Sequence, residues 1–180
     1  MKIVINISKA FIVFCLSFSS LTQAKVSIDN WAVNTSHGLT IFTTRGATVY
    51  SHDLGIAKMP EDCSIDHLIV HYTSYDNSIK DIEGKNVIVK FSNKQHSFDA
   101  ELLVVNVKNA TKRLSIVSLT TSDGLTSNMK KMLNSEEPLT VEIVSPLDIA
   151  KKFDIAEEYF VLENYKKAYA LANKQCLGVN

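Results

Sequence analysis

The sequence feature that most restricts how this chain can fold is the alternation of apolar and polar residues. Leu68, Val70 and Tyr72 form one apolar stripe, and similar stripes run through 87–91 and 98–107. A period of two is typical of β-strands with one buried face. Short strands about ten residues apart, without regular helices between them, predict a mainly β fold, an antiparallel β-sandwich or barrel-like domain.

Weaker alternation predicts further strands in the rest of the chain, at 25–34, 38–44, 47–52, 114–116 and 139–143. Residues 92–95 have the composition of a hairpin turn. The segments 51–55 and 62–67 are polar and are predicted to be loops between strands.

Two segments change to a helical period. Leu125, Met129 and Leu133 share one helix face, which predicts a short internal helix capped by Ser122 or Asp123. A second helix is predicted at the C-terminus from apolar residues spaced three and four apart: Tyr165, Ala168, Tyr169, Ala172 and Cys176. Gly178 is expected to end it. We see no linker or repeat, so 25–180 is predicted to be a single β-rich exported domain.

The first 24 residues have the layout of a signal peptide. Lys2 and Lys9 precede or border the apolar run 10–16, and small residues lead to a predicted cleavage site after Ala24. Phe14 precedes Cys15 where a lipoprotein signal needs a small residue, so we expect a periplasmic or secreted protein without a lipid anchor. The apolar run is too short for a stable membrane span, although an uncleaved N-terminal anchor is the alternative.

Charge excludes one class of function. The chain has 19 basic and 19 acidic residues, and cleavage after Ala24 removes two lysines, which leaves 17 against 19 and a net charge of −2. The dyads Lys112-Arg113, Lys130-Lys131, Lys151-Lys152 and Lys166-Lys167 are scattered and do not form one basic block. Because phosphate binding needs a local excess of Lys and Arg, we expect no nucleic-acid partner.

Cleavage also leaves only two cysteines, Cys63 and Cys176. Two cysteines in an oxidising compartment most simply form one disulfide, with free or intermolecular thiols as the alternative. A bond between positions 113 apart is worth roughly 4.7 kcal/mol in the chain-entropy model, before strain is subtracted. It would join the C-terminal helix to the first third of the fold.

The sequence contains no recognisable catalytic motif. His67 and His71 have the spacing of a zinc helix, but on a strand four positions span about 13 Å, so one ion could not be shared. No G-x-S-x-G sequence or glycine-rich phosphate loop is present. The pairs Glu136-Glu137 and Glu157-Glu158 are interpreted as solvated charge. We therefore predict no catalytic residues, metal or cofactor.

Loops on a rigid sheet commonly carry binding groups. The two polar segments around 51–55 and 62–67 therefore supply the candidate binding residues, which are His52, Asp53, Glu61, Asp62 and Asp66. The alternative is that these segments are ordinary connections whose path the disulfide fixes.

The order of features resembles the invasion-associated locus B family of exported bacterial proteins. The resemblance rests on Trp31-Ala32-Val33, Cys63, Phe160-Val161-Leu162, Tyr165, Lys167-Ala168 and Cys176. Asn34 stands where the family commonly has a cysteine, so the additional disulfide of that family is not expected here. The resemblance implies an exported β-rich domain acting at the host or envelope interface, and it carries no catalytic residue over.

Together these features favour a non-enzymatic, exported protein-binding domain. It would be a host-interaction accessory factor linked to virulence, or a periplasmic immunity protein that inhibits a toxin. One alternative is a small exported hydrolase that uses His67 or His71 as its base. Another is a β-barrel carrier, which needs a large internal cavity to hold a small ligand.

Overall fold

The structure is a computed structural model that describes residues 25–36 and 39–178. The predicted signal peptide, residues 1–24, and its cleavage site after Ala24 lie outside the described residues.

One continuous antiparallel sheet dominates the described chain. Its strands pair in the order β1-β2-β3-β4-β5-β8-β7-β6-β9-β10. The strands are β1 Lys25–Ile28, β2 Trp31–Ser36, β3 Leu39–Arg45, β4 Asp53–Lys58, β5 Asp66–Ser74, β6 Asn86–Ser92, β7 Ser97–Asn109, β8 Ser115–Thr120, β9 Leu139–Ser145 and β10 Glu157–Phe160. The predicted mainly β fold is confirmed.

The sheet curls so that β10 meets the residue after β3. Gly46 and Phe160 form an isolated antiparallel bridge, and the Ala47 N–H donates to the carbonyl of Tyr159 at 2.8 Å. Eight strands, β3 to β10, thereby form a barrel-like ring, while β1 and β2 extend the sheet beyond the junction. Of the two predicted arrangements, the structure has the barrel-like one.

The helices cover the apolar side of the sheet. They are α1 Ser127–Asn134, α2 Leu147–Ala150 and α3 Tyr165–Cys176, and a 3₁₀ helix spans Asn77–Ile82. The predicted internal and C-terminal helices are thus both present. Helix α1 is capped by Thr126, not by Ser122 or Asp123, because the Thr126 hydroxyl reaches the Met129 N–H at 3.3 Å. Gly178 follows α3 with a positive φ of 66°.

Helix α3 lies on the inner face of β2 and β3. Its Tyr165 ring packs against Trp31 and Phe42 with centroids 5.5 and 5.9 Å apart. These three rings are almost completely buried. Aromatic burial of this size dominates core energetics, so α3 completes the hydrophobic core and is not a peripheral tail.

Three segments differ from the sequence-based prediction. Residues 47–52 form a turn, and the strand begins only at Asp53. In that strand Leu54, Ile56 and Lys58 face the core. Segment 25–34 is two strands separated by a turn, in which Asp29 has a positive φ of 50°. Strand β10 was not predicted, since Glu157-Glu158 was interpreted as solvated charge.

Side chains fill the space between α1 and the sheet. A cavity there measures 10 Å³, about the size of one water molecule. It is lined by Leu68, Phe91, Phe98, Met129, Met132, Leu133 and Leu139. This space is too small for a carried ligand.

None of the helices among the described residues combines the length and the apolar character needed to cross a membrane. The longest, α3, has 12 residues, whereas spanning takes roughly 20.

Candidate functional site

The predicted disulfide between Cys63 and Cys176 is present. The two Cα atoms are 5.9 Å apart although the residues are separated by 113 positions. Cys63 lies in the β4–β5 loop and Cys176 is the last residue of α3. The bond therefore ties the end of the C-terminal helix to that loop.

A buried lysine cluster lies next to the disulfide. Lys58, at the end of β4, forms an ion pair with Asp66, and both side chains are almost fully buried. The Lys58 ammonium also donates to the carbonyl of Cys63 at 3.2 Å and lies 4.3 Å from the centre of the Tyr169 ring. The Tyr169 hydroxyl donates to the second Asp66 oxygen at 3.0 Å. Each charge is thus paired, as burial requires.

This arrangement changes the role of one candidate binding residue. Asp66 was predicted to belong to an interaction surface, but it is 4% exposed and both oxygens have internal partners. Glu61 and Asp62 remain exposed in the same loop. Hydrogen bonds from the Ser64 hydroxyl and backbone N–H lower the pKa of Asp62, so it stays ionised and shapes its own loop.

At the opposite end of β4, His52 lies in a second buried cluster, the acid–histidine network of Glu158, His52 and Thr73. The His52 Nδ1 is 3.0 Å from Glu158 Oε2, and its Nε2 is 2.9 Å from Thr73 Oγ1. The Thr73 backbone N–H also donates to Nε2 at 3.0 Å. Since Nε2 accepts, the network requires a neutral imidazole that donates from Nδ1 to the carboxylate.

Electrostatics agree with this protonation state. Burial lowers the pKa of His52 more strongly than the nearby Glu158 carboxylate raises it. Burial alone would raise the pKa of Glu158, but hydrogen bonds from the backbone N–H groups of Thr48, Tyr159 and Val49 outweigh it and lower that pKa. The network therefore contains a neutral histidine and an ionised glutamate.

The acid–histidine network connects three chain segments. Glu158 belongs to β10, Thr73 to β5, and His52 to the turn between β3 and β4. Gly46 in that turn has no space for a side chain, because a Cβ there would lie 2.5 Å from the Glu158 carboxyl carbon. The turn thus closes tightly over the carboxylate.

Each connected segment carries an exposed tyrosine. Tyr50, Tyr75 and Tyr159 are 76%, 61% and 41% exposed. They lie within two residues of His52, Thr73 and Glu158 respectively, and we refer to these three tyrosines as the tyrosine surface. The Arg45 guanidinium lies over the Tyr50 ring, 4.0 Å from its centre. Buried contacts therefore fix the backbone that presents these side chains.

The two histidines of the hydrolase hypothesis lie on the outer face of β5. They are half-buried and four positions apart on a strand, as predicted. His71 Nδ1 is 3.9 Å from Asp53 Oδ2, and Ser118 is the Cα partner of His71 on β8. The Ser118 hydroxyl is buried, so a substrate does not meet it in this conformation. Among the described residues, no group of three His, Cys, Asp or Glu side chains could hold a metal ion.

The five candidate binding residues therefore do not form one site. His52 and Asp53 lie at one end of β4, whereas Glu61, Asp62 and Asp66 follow the other end. His52 is also fully buried, which differs from its predicted place on a surface. The two groups are close in sequence because only the short strand β4 separates them. The sequence pattern predicts a loop at 51–55, where that strand begins.

Sequence reasoning missed Thr73, Glu158 and the three tyrosines. No sequence pattern marked Glu158, because residues 157–160 do not alternate between polar and apolar types although their burial alternates along β10. No sequence signal joins β10 to the β3–β4 turn, since that contact depends on how the sheet curls.

No family model, curated protein or solved structure matches the chain. The resemblance to the invasion-associated locus B family remains a prediction. The function of the chain is therefore inferred from the geometry of the described residues.

Proposed function

We propose that this chain is an exported, non-enzymatic protein-binding domain that contacts its partner through the tyrosine surface. The observation that carries the proposal is the exposure of Tyr50, Tyr75 and Tyr159 beside one buried network. Tyrosine and arginine are enriched among the residues that dominate binding energy at protein interfaces.

Preorganisation supports the same function. A binding surface loses less free energy on association when its side chains are already held in place. Here Glu158, His52 and Thr73 connect the segments that carry the three tyrosines, and Arg45 stacks on Tyr50. Tyrosine also has few rotatable bonds, so it supplies contact area at a low cost in conformational entropy.

The compartment proposed is the periplasm or the extracellular space. The N-terminal 24 residues have the pattern of a signal peptide, and one disulfide joins distant parts of the domain. Disulfides persist where the surroundings are oxidising. In such a compartment the partner is either a host or envelope protein, as the family resemblance implies, or a toxin that the domain inhibits as an immunity protein.

The proposal is tested with the mature domain as bait, first against envelope extracts and then against extracts that contain exported effectors. Partners retained by the wild type are identified, purified and titrated against a variant with Tyr50→Ala, Tyr75→Ala and Tyr159→Ala. Because interface hot spots contribute about 2 kcal/mol or more each, we expect the triple variant to bind at least tenfold more weakly.

A matched control replaces exposed apolar residues near the disulfide, Ile65→Ala and Leu177→Ala, which are 43% and 66% exposed. This variant should bind the partner as the wild type does. Loss of toxin activity on binding would favour the immunity role, and capture of a host or envelope protein would favour the accessory role. Equal binding by the triple variant and the wild type would contradict the proposed surface.

A further inference from the structure

The turn between β3 and β4, residues 46–52, has one side chain in the interior of the barrel. His52 is fully buried, whereas Ala47, Thr48 and Tyr50 are exposed and the other three residues are half-buried. The apolar surface that the turn contributes to the core is therefore small. A segment with few buried apolar contacts can open at a lower free energy than the whole domain needs to unfold.

The contacts of the turn with β10 are polar. The backbone N–H groups of Thr48 and Val49 donate to the two Glu158 oxygens at 2.8 and 2.9 Å. The Ala47 N–H donates to a main-chain carbonyl of the same strand at 2.8 Å. His52 adds the contact from its Nδ1 to Glu158 Oε2 at 3.0 Å. Because no other side chain of the turn is fully buried, His52 is the side chain that anchors the turn to the barrel interior.

On its other side, His52 is held by β5. Its Nε2 accepts from the Thr73 backbone N–H at 3.0 Å, and its ring lies against the Tyr72 ring with centroids 4.8 Å apart. A proton on Nε2 would point toward that N–H, which would lose its acceptor. A buried N–H without a partner is unfavourable. The closed turn therefore selects the neutral imidazole.

The charged groups around the ring do not reverse this preference. Glu158 on β10 and Asp53 on β4 both raise the pKa of His52, but burial lowers it more. The β5 side carries no charge, because burial and nearby carboxylates raise the pKa of Tyr72 well above its ordinary value. In an open turn, water solvates the imidazole and its pKa returns to about 6.5. The open turn thus takes up a proton that the closed turn excludes, and acid favours opening.

The other histidines of the described chain do not have such a position. His67 and His71 are half-buried on the outer face of β5, and His96 is exposed at a turn. Solvent reaches these three rings while the fold is closed. Among the described residues, His52 is the histidine whose protonation requires a segment to move.

We propose that residues 46–52 form an acid-operated switch, which opens below about pH 6 as His52 leaves its site and takes up a proton, while the rest of the barrel stays folded. Opening moves Tyr50 away from β10, so the exposed tyrosines no longer keep their arrangement. The consequence for binding rests on the proposed function: a partner held through Tyr50 dissociates more readily in acidic surroundings.

The test is hydrogen exchange of backbone amides in the disulfide-bonded mature protein without a partner, followed by NMR between pH 7.5 and 5. The rates are divided by those of an unstructured chain at each pH. We expect opening at Ala47, Thr48 and Val49 to become at least fivefold more frequent at pH 5. The upper limit is about 30-fold for one group whose ordinary pKa is 6.5. Amides in the paired strands β6 and β9 should stay at least tenfold better protected at every pH.

Two variants assign the switch to one histidine. The amide of His52→Gln can donate and accept without titrating, so opening of its turn should change less than twofold over this range. His71→Gln is the matched control, because it removes the half-buried imidazole beside Asp53 and leaves the turn intact. It should keep the wild-type pH dependence. Thermal unfolding of both variants checks that they fold.

A second measurement uses the wild type alone and does not depend on the folding of a variant. The NMR shifts of the His52 ring in the closed protein should remain those of a neutral imidazole down to pH 6, while exchange at the turn accelerates. A ring that titrates near pH 6.5 in a closed turn would overturn the proposal. So would equal protection of the turn and of β6 and β9, or wild-type pH dependence in His52→Gln. Because no partner is present, these results are independent of the capture experiment, which tests the protein contact by itself.

Discussion

At the scale of single residues, the contacts of His52 fix both its charge and its tautomer. Only a neutral imidazole can donate to Glu158 and accept from the Thr73 backbone N–H. Protonation would place two donors against each other at Nε2, in a site without water access. The groups that face the ring are the Glu158 carboxylate, the Thr73 hydroxyl and N–H, the Tyr72 ring and the nearby Asp53 carboxylate.

We expect acid to destabilise the domain through His52. Its pKa is lowered on folding, so the unfolded state takes up a proton first as the pH falls below about 6.5, and stability is lost from that point downward. Glu158, whose pKa is also lowered, acts in the same direction at lower pH. The loss from one such group approaches, at most, about 1.4 kcal/mol per pH unit.

The measurement is the free energy of unfolding in urea between pH 7.5 and 5. His52→Gln lowers stability at pH 7.5 but should flatten the pH dependence, while His96→Gln at an exposed turn should leave it unchanged. An identical slope in the wild type and His52→Gln would show that another group is responsible.

Lys58 is the second residue whose buried contacts lead to a specific prediction. Replacement by Met leaves the Asp66 carboxylate buried with only the Tyr169 hydroxyl as partner. Removing one member of a buried ion pair costs about 3–5 kcal/mol, so Lys58→Met should lower the free energy of unfolding by about that amount.

The double variant Lys58→Met, Asp66→Leu should recover part of the loss, because no unpaired charge remains. Tyr169→Phe should cost less than Lys58→Met, since it removes one hydrogen bond and retains the ion pair. Denaturant unfolding of the wild type and the three variants measures these differences in the free energy of unfolding. A double variant less stable than Lys58→Met would contradict the account.

At the scale of secondary-structure elements, α3 is held along its whole length. At its start, Trp31 Nε1 donates to the carbonyl of Glu163 at 3.1 Å. Near its end, the Thr35 hydroxyl donates to Gln175 at 2.8 Å, and Cys176 is bonded to Cys63. The helical spacing predicted that Cys176 lies on the buried side of the helix with Tyr165 and Tyr169. In the structure that side packs against the aromatic core on β2 and β3.

Loss of the disulfide should loosen the last turn of α3 before the rest of the domain. The variant Cys63→Ser, Cys176→Ser should lower the free energy of unfolding by about 2–5 kcal/mol, because the unfolded chain regains the freedom of a long loop. Hydrogen exchange should accelerate at 172–178 and in the β4–β5 loop.

Thr35→Val provides the comparison, since it removes the hydrogen bonds of the Thr35 hydroxyl with Gln175 and Thr40 and keeps the disulfide. It should change stability by about 1 kcal/mol. Uniform acceleration of exchange through β6 and β9 in the serine variant would show that the disulfide supports the whole barrel and not the helix end alone.

At the scale of the whole molecule, closure of the sheet depends on a small junction. The bridge between Gly46 and Phe160 and the backbone donors to Glu158 join the β3–β4 turn to β10. This junction also holds the turn that carries Tyr50 against β10, which carries Tyr159, so the proposed contact surface depends on closure of the sheet. Strand alternation predicts each strand separately and carries no information about which strands meet on closure.

The proposed export and cleavage predict a single oxidised species of the mature chain. Intact-mass measurement of protein recovered from the periplasm or medium should give residues 25–180, lighter by two hydrogens than the reduced chain. A mass that retains residues 1–24 would contradict cleavage after Ala24, and a mass equal to that of the reduced chain would contradict the disulfide in the exported protein.

Local pattern in the sequence determined the mainly β class, the positions of α1 and α3, and the buried stripe of β5, because side-chain periodicity follows directly from backbone geometry. The number of cysteines after the predicted cleavage site left one possible intramolecular disulfide, between Cys63 and Cys176. Tertiary structure decided the strand order and the burial of His52, Asp66 and Glu158. These depend on contacts between residues far apart in the sequence, such as Thr48 and Glu158, which are 110 positions apart. Such contacts arise from the curl and register of the sheet, and local periodicity in the sequence does not reveal them.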